Sequence, residues 1–236
     1  MVVTTAFEQY NHSAIFHFPL LSAMNVSPAK ENILKRIRQA LTHPTPIPFP
    51  QSEGNSSVYQ PSQQELEIEF AEKFKALQGR FIYCLNREEL LSQLRALFQA
   101  NKWQKLYCRD ESLKQSLSLQ NAGDLSHNDL ATCDAAITGC EWLVARTGSI
   151  VMTAANASGR TVSVYAPVHI CIAFRNQLVY DVKDVLVQAR EQYGHQLPSL
   201  ITFATGPSRT ADIEKTLVVG VHGPKEVYVF LVDENE

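Results

Sequence analysis

An α/β fold built on a parallel sheet is what this chain predicts, and three observations carry the prediction. Short apolar runs alternate with helical stretches, as in 81–85, 88–100 and 105–108. Strands alternating with helices pair in parallel, because each right-handed crossover returns the chain to the same end of the sheet. Glycine and proline punctuate the runs at Gly79, Gly148, Gly194 and Gly206-Pro207, where regular structure has to stop. Finally, 236 residues suffice for one domain that buries roughly 70–75% of its unfolded surface without staples.

Taken in order, the elements begin after an unusual N-terminus. Residues 1–23 contain Ile15-Phe16-His17-Phe18-Pro19-Leu20-Leu21 with no Lys or Arg ahead of them. A secretory signal needs that positive start and a membrane helix needs about 20 apolar residues, so neither fits. Met24-Asn25-Val26 leads into Ser27-Pro28, an N-cap followed by proline at the first helical position. Residues 1–23 therefore read as an extension ahead of a start at Met24. The helix from Ser27 puts Ile33, Ile37 and Leu41 on one face and Lys30, Lys35, Arg36 and Arg38 mainly elsewhere, so 24–41 reads as a helical arm. Pro44, Pro46, Pro48, Pro50 and Pro61 make 42–61 an extended tether, since proline at that density excludes regular structure.

The globular domain, 62–236, opens with Ser62-Gln63-Gln64-Glu65, a capping box that starts a helix running to Leu77 with Gly79 as its stop. Strand 81–85, helix 88–100 capped by Asn86, and strand 105–108 follow. Their periodic apolar positions read as scaffold. Later elements are two strands joined by the tight turn Arg146-Thr147-Gly148-Ser149, a buried strand at 167–174, a helix at 181–193, a buried strand at 200–204, and strands at 217–219 and 227–232.

Charge and cysteine usage exclude several function classes. Lys+Arg 21 against Asp+Glu 24 gives a net charge of −3, with no basic stripe of the kind that nucleic acid requires. Five cysteines without a Cys-x-x-Cys pair read as reduced core thiols of a cytoplasmic protein, and not as ligands of an iron–sulfur cluster or zinc in this chain. Neither Gly-x-Gly-x-x-Gly nor Gly-x-x-x-x-Gly-Lys-Ser/Thr occurs, so no dinucleotide or P-loop cofactor is expected.

The chemistry concentrates in 205–224. Thr205-Gly206-Pro207-Ser208-Arg209-Thr210-Ala211-Asp212-Ile213-Glu214 follows an apolar run, and α/β sheets place ligands beyond strand C-termini. Gly206, Ser208, Arg209 and Thr210 form a candidate anion cradle there, because a guanidinium grips a carboxylate or phosphate through two parallel bonds. The plainer alternative is a surface turn held by an Arg–Asp or Arg–Glu pair. His222, in the turn Gly220-Val221-His222-Gly223-Pro224, reads either as a general acid or base oriented by Asp212 or Glu214, or as a turn residue bonded to backbone. Arg146, Thr147, Gly148 and Ser149 read as an anion contact or as a hairpin turn with a solvated arginine. Arg160 follows Gly159 in a polar loop and is a further candidate contact. His169, on the apolar strand Pro167-Val168-His169-Ile170, is either a hydrogen-bonded core residue or a site residue.

Three of these blocks carry a resemblance. Residues 205–214 with 220–224, Thr138-Gly139-Cys140-Glu141 with 145–149, and Ala166-Pro167-Val168-His169-Ile170 resemble the LUD-domain family, in its lactate-utilization branch. The match is strong from Thr138 onward. It implies a layered α/β/α domain similar to the sugar-phosphate isomerases and CoA transferases (NagB/RpiA/CoA transferase-like), here with the N-terminal helical arm. Members act with two partner proteins, one carrying iron–sulfur clusters, in oxidising L-lactate to pyruvate. Many relatives place a glutamate where this chain has Arg146, a charge reversal that favours an anionic ligand here. The resemblance thus implies an accessory subunit of an iron–sulfur L-lactate oxidation system that binds a small anionic metabolite at 205–224. Two alternatives stay open: a stand-alone enzyme for a phosphorylated, CoA-linked or folate-type anion, and a non-catalytic sensing or structural subunit. No membrane insertion is expected, and a homo-oligomer is compatible with the reading.

Overall fold

A computed structural model describes residues 27–42, 61–210 and 218–234, which fall into two units, one ending at Tyr59 and the other starting at Gln60. The first unit contains α1 (Pro28–Leu41). Ser27 Oγ accepts from the Lys30 N–H at 3.4 Å and Pro28 occupies the first turn, the expected N-cap arrangement. No residue of α1 is buried, and Ile33, Ile37 and Leu41 are exposed. The extension 1–23, the start at Met24 and the tether from 43 to 60 lie outside the described residues.

The second unit runs α2 (Leu66–Ala76), β1 (Arg80–Cys84), α3 (Arg87–Asn101), β2 (Leu106–Cys108), α4 (Glu111–Leu119), β3 (Ala135–Thr138), β4 (Trp142–Val144), β5 (Ser149–Thr153), α5 (Val162–Tyr165), β6 (Val168–Phe174), β7 (Leu178–Val179), α6 (Val182–Tyr193), β8 (Ile201–Ala204), β9 (Arg209–Thr210), β10 (Val218–Val219) and β11 (Glu226–Val232). The expected α/β fold forms. Five strands in the order β1-β11-β6-β3-β2 are all parallel, with β11 and β6 in register from Glu226↔Val168 to Val232↔Phe174. A second sheet, β7-β4-β5-β8, is mixed, and β9 and β10 form a small hairpin.

Alternation along the central strands sorts their side chains to two faces. Ile170, Ile172 and Phe230 pack on Leu90, Leu94 and Phe98 of α3 and Leu117 of α4. Cys171, Ala173, Val229 and Leu231 face the other way, against Phe70 and Phe74 of α2 and against Leu143 and Ile150 of the second sheet. The outer face of that second sheet, Trp142, Val144 and Val151, is covered by Val185 and Ala189 of α6. Each apolar face therefore finds a partner layer, which is the condition for a stable layered domain.

Two local expectations are corrected, and one helix goes unforeseen. The Ser62–Glu65 capping box does not open α2; the helix begins at Leu66, and Ser62 Oγ bonds the buried Glu69 carboxylate at 3.0 Å instead. That bond satisfies a carboxylate that burial would otherwise penalise. Helix α4 escapes the sequence reading because its signal is a single residue: Asp110 Oδ1 accepts from Ser112 N–H and Leu113 N–H at 3.0 and 3.1 Å. The strand at 200–204 is only half-buried, since it is the edge of the second sheet and pairs antiparallel with β5 alone.

Gly148 shows how closely the layers approach. Its φ is +62°, and a Cβ there would sit 2.8 Å from Phe74 N and 3.0 Å from Lys73 C. Gly148→Ala should destabilise the domain by about 2–4 kcal/mol, combining left-handed strain with overpacking; a chemical-denaturation midpoint equal to wild type would show that the turn relaxes away from α2.

Candidate functional site

Chain direction sorts the polar residues to the two ends of the parallel sheet. The C-terminal ends of β1, β2, β3 and β6 lie together, because these strands are all parallel. After β2 the chain turns into α4 on one face; after β3 it turns into β4 on the other. Adjacent strands whose continuations leave to opposite faces open a crevice between them, the usual ligand position in open α/β sheets. A cavity of about 320 Å3 occupies that place, lined by Arg87, Asp110, Ser112, Gly139, Asn156 and Gln177 among others.

Each of these side chains is set by its local structure. Asn86 Oδ1 caps α3 by accepting from Glu89 N–H at 2.9 Å, which puts Arg87 in the first turn at the crevice rim. Arg87 lies over the Phe174 ring, 5.0 Å from its centroid, and contacts Glu234 at 3.4 Å with both side chains about two-fifths exposed. Such an exposed pair is weak and can yield to a ligand anion. Asp110 spends Oδ1 on its own helix cap, while Oδ2 accepts from no other described residue. Gly139 has no neighbour within 4 Å of where a Cβ would stand, so the floor of the crevice is open. Gln177 clamps the β6–β7 connection, donating to Cys140 O at 2.7 Å and accepting from Phe174 N–H at 2.8 Å. A cation, a free carboxylate oxygen and the first turns of two helices thus meet at one cavity, a set able to hold a small anion bearing a hydroxyl.

Most residues singled out from the sequence gather at the opposite end. Because β8 pairs antiparallel with β5, its C-terminus points to the start of the parallel strands, not to their carboxyl ends. That overturns the premise that 205–210 lies beyond a parallel strand. Gly206 and Arg209 meet the end of α2: a Cβ on Gly206 would stand 2.7 Å from Leu77 O, and Arg209 Nη2 donates to that same carbonyl. Thr210 pairs with Val218 in the β9–β10 hairpin, and Ser208 N–H donates to Pro224 O at 2.9 Å. Thr147, Ser149 and Thr205 form a hydroxyl chain with links of 2.8 and 2.9 Å. Arg146 Nε stands 2.6 Å from Asp181 Oδ2, the N-cap residue of α6, in an ion contact.

His222 is exposed and lines a separate cavity of about 410 Å3 with Tyr165, Pro167, Gly220 and Lys225. Arg160 is at the crevice end of the domain but bonds Ser199. Asp212 and Glu214 lie outside the described residues.

His169 is enclosed within the fold. It is fully buried on β6, with Nε2 2.8 Å from Thr138 Oγ1 and no partner at Nδ1. Burial pushes its pKa down to about 4, so the imidazole is neutral at physiological pH. The five cysteines are buried and none is in a disulfide, and among the described residues no three His, Cys, Asp or Glu side chains converge on a metal position.

With this geometry in place, likeness to known proteins identifies the domain. The LUD domain model matches residues 68–232, from α2 to the end of β11. The chain belongs to the LUD domain family. Over 100 residues the chain is 41% identical to a protein named lactate utilization protein C from Geobacillus sp. (strain WCH70), covering 41% of this chain and 42% of that protein. A lactate utilization protein C from Deinococcus radiodurans is 35% identical over 117 residues, covering 48% of this chain and 53% of that protein. The matches thus span about half the length, or less, of these curated relatives. A crystal structure of a DUF162 family protein from Deinococcus radiodurans superposes with a TM-score of 0.55 at 20% identity, covering 73% of this chain and 99% of that one; it shares the LUD domain's fold. No helix among the described residues is long and apolar enough to cross a membrane.

The crevice draws on Arg87, Asp110 and Ser112, from the part that sequence reading treats as scaffold. The available signal was two strands that each run into a helix N-cap, at Asn86 and Asp110.

Two outcomes follow from the placements. The depressed His169 pKa means that only the unfolded chain takes up this proton between pH 6.5 and about 4, so its contribution is complete above 6.5 and lost as pH falls through that window. At about 1.4 kcal/mol per pH unit the loss is at most about 3.5 kcal/mol. Denaturant midpoints measured from pH 7.5 to 4 should fall more steeply for wild type than for His169→Gln, and parallel curves would refute this. Arg209→Ala should cost about 0.5–1.5 kcal/mol by uncapping Leu77 O, which a shift in thermal midpoint would report.

Proposed function

We propose that this LUD domain serves lactate utilization as an accessory subunit of an iron–sulfur L-lactate oxidation system, and that it binds a small anionic ligand in the crevice. The pathway rests on the relatives named lactate utilization protein C. The binding reading rests on one observation: Arg87, Ser112 and the free oxygen of Asp110 border one cavity at a topological switch point. A 2-hydroxy acid suits that set. Its carboxylate would replace Glu234 on Arg87 and take the Ser112 hydroxyl, while a hydroxyl would donate to Asp110 Oδ2. Gly139 leaves room for the carbon skeleton.

A second reading puts the anion beside His222 and Lys225. The absence of any carboxylate from that cavity's described lining favours it. The resemblance to the lactate-utilization branch implies oxidation of L-lactate with cluster-bearing partners, so the reading also expects iron–sulfur subunits to associate with this chain.

Calorimetry with L-lactate and pyruvate, combined with dye-linked L-lactate oxidation by the partner proteins with and without this chain, tests these assignments. Arg87→Gln should weaken binding about five- to thirtyfold, equivalent to about 1–2 kcal/mol. Loss of binding in Lys225→Gln with Arg87→Gln unchanged would transfer the site to the second cavity. Oxidation that proceeds equally well without this chain would remove the pathway assignment.

A further inference from the structure

Strand β1 is an edge of the five-stranded sheet, pairing only with β11 among the described residues. An unpaired edge carries a row of backbone donors and acceptors ready for another strand. Proteins normally blunt such edges, yet this one lies in a groove. On one side of β1 a cavity of about 730 Å3 is lined chiefly by apolar groups, including Ala71, Phe81, Ala96, Leu97 and Ala100. A second cavity of about 470 Å3 shares Ala71 and Phe81 and continues past Ile68 and Tyr83. Ile68, Tyr83 and Leu85 are exposed at 47%, 38% and 64%, which gives this edge a cluster of large apolar side chains on the surface. Alanines on both flanking helices leave the width that an incoming backbone needs.

The charges along this groove are polar end to end. Lys75 and Arg80 stand at the end where β1 begins; Glu65 and Glu67, with Arg175 beside them, stand toward the end where it finishes, and Glu72 lies near the middle. A two-fold axis through the middle of β1 reverses one copy against the other, bringing each basic end onto an acidic end. Glu67 and Arg80 are engaged within their own chain, by Arg175 and Glu226. Glu65 and Lys75 form no ion pair with another described residue and are exposed. A surface that complements itself under a two-fold rotation is the requirement for a closed dimer.

We propose that the β1 edge is a homodimer interface, occupied by the β1 edge of a second copy in antiparallel pairing, with Glu65 of each copy facing Lys75 of the other. The two sheets then continue as one, and the apolar groove is closed.

Sedimentation equilibrium of the full chain across about 1–200 µM tests this, with Glu65→Lys, Lys75→Glu and the double variant compared. The wild type should dimerise, each single reversal should weaken association about tenfold or more, and the double reversal should restore it to within about threefold, because complementary charge sets the register. Amide exchange at Arg80–Cys84 should slow as concentration rises through the dimer range. A monomer throughout would overturn the proposal and leave the groove to another occupant. A dimer that ignores both reversals, or that leaves β1 exchange unchanged, would overturn it equally.

Discussion

The packing of α2 between two sheets is the constraint on which the rest of this domain depends. Phe70 and Phe74 are fully buried with ring centroids 5.4 Å apart, and they fill the space between the parallel sheet and the mixed sheet. Aromatic side chains of that size dominate core energetics, and truncating one typically costs about 3–5 kcal/mol. Around them the backbone closes in at three glycines. Gly79 lies under the Phe74 ring, Gly148 against the Phe74 backbone, and Gly206 against Leu77 O. Near these points Arg209 donates to the Leu77 carbonyl at the end of the helix, and Thr147, Ser149 and Thr205 bond one another across the adjoining turns.

This arrangement explains why the most distinctive stretch of the chain does not mark the crevice. Loops that hold a helix to two sheets need glycine for close approach, hydroxyls to satisfy turns and a cation for a helix C-terminus. A ligand-binding loop needs the same residue types. Composition cannot separate the two uses; the direction of β8 can, since antiparallel pairing with β5 turns its end toward the start of the parallel strands.

The crevice has the reverse character. Its lining comes from five separate connections, none with an unusual composition, and the site emerges because parallel pairing brings their ends together. Asp110 does two jobs there, capping α4 with one oxygen and offering the other to the cavity. Arg87 is similarly shared between the Phe174 ring, Glu234 and the rim. A candidate site assembled from caps and first turns has its side chains held in place by secondary structure that must form anyway, which would limit the entropy lost on binding a ligand.

Periodicity and punctuation alone determined the α/β class, the parallel sheet, the Ser27 and Asn86 caps, the Gly194 stop of α6 and the apolar strands β6 and β11, because those features are written in contiguous residues. The family blocks likewise lie in short contiguous runs, and they point to the LUD domain. Tertiary structure alone decided which end of the sheet each polar residue reaches, that Arg146 meets Asp181, that His169 is sealed in neutral form, and that Arg87 and Asp110 share a cavity. Strand direction, sheet order and burial are properties of pairings between distant segments, and a linear pattern holds no record of them until the chain has folded.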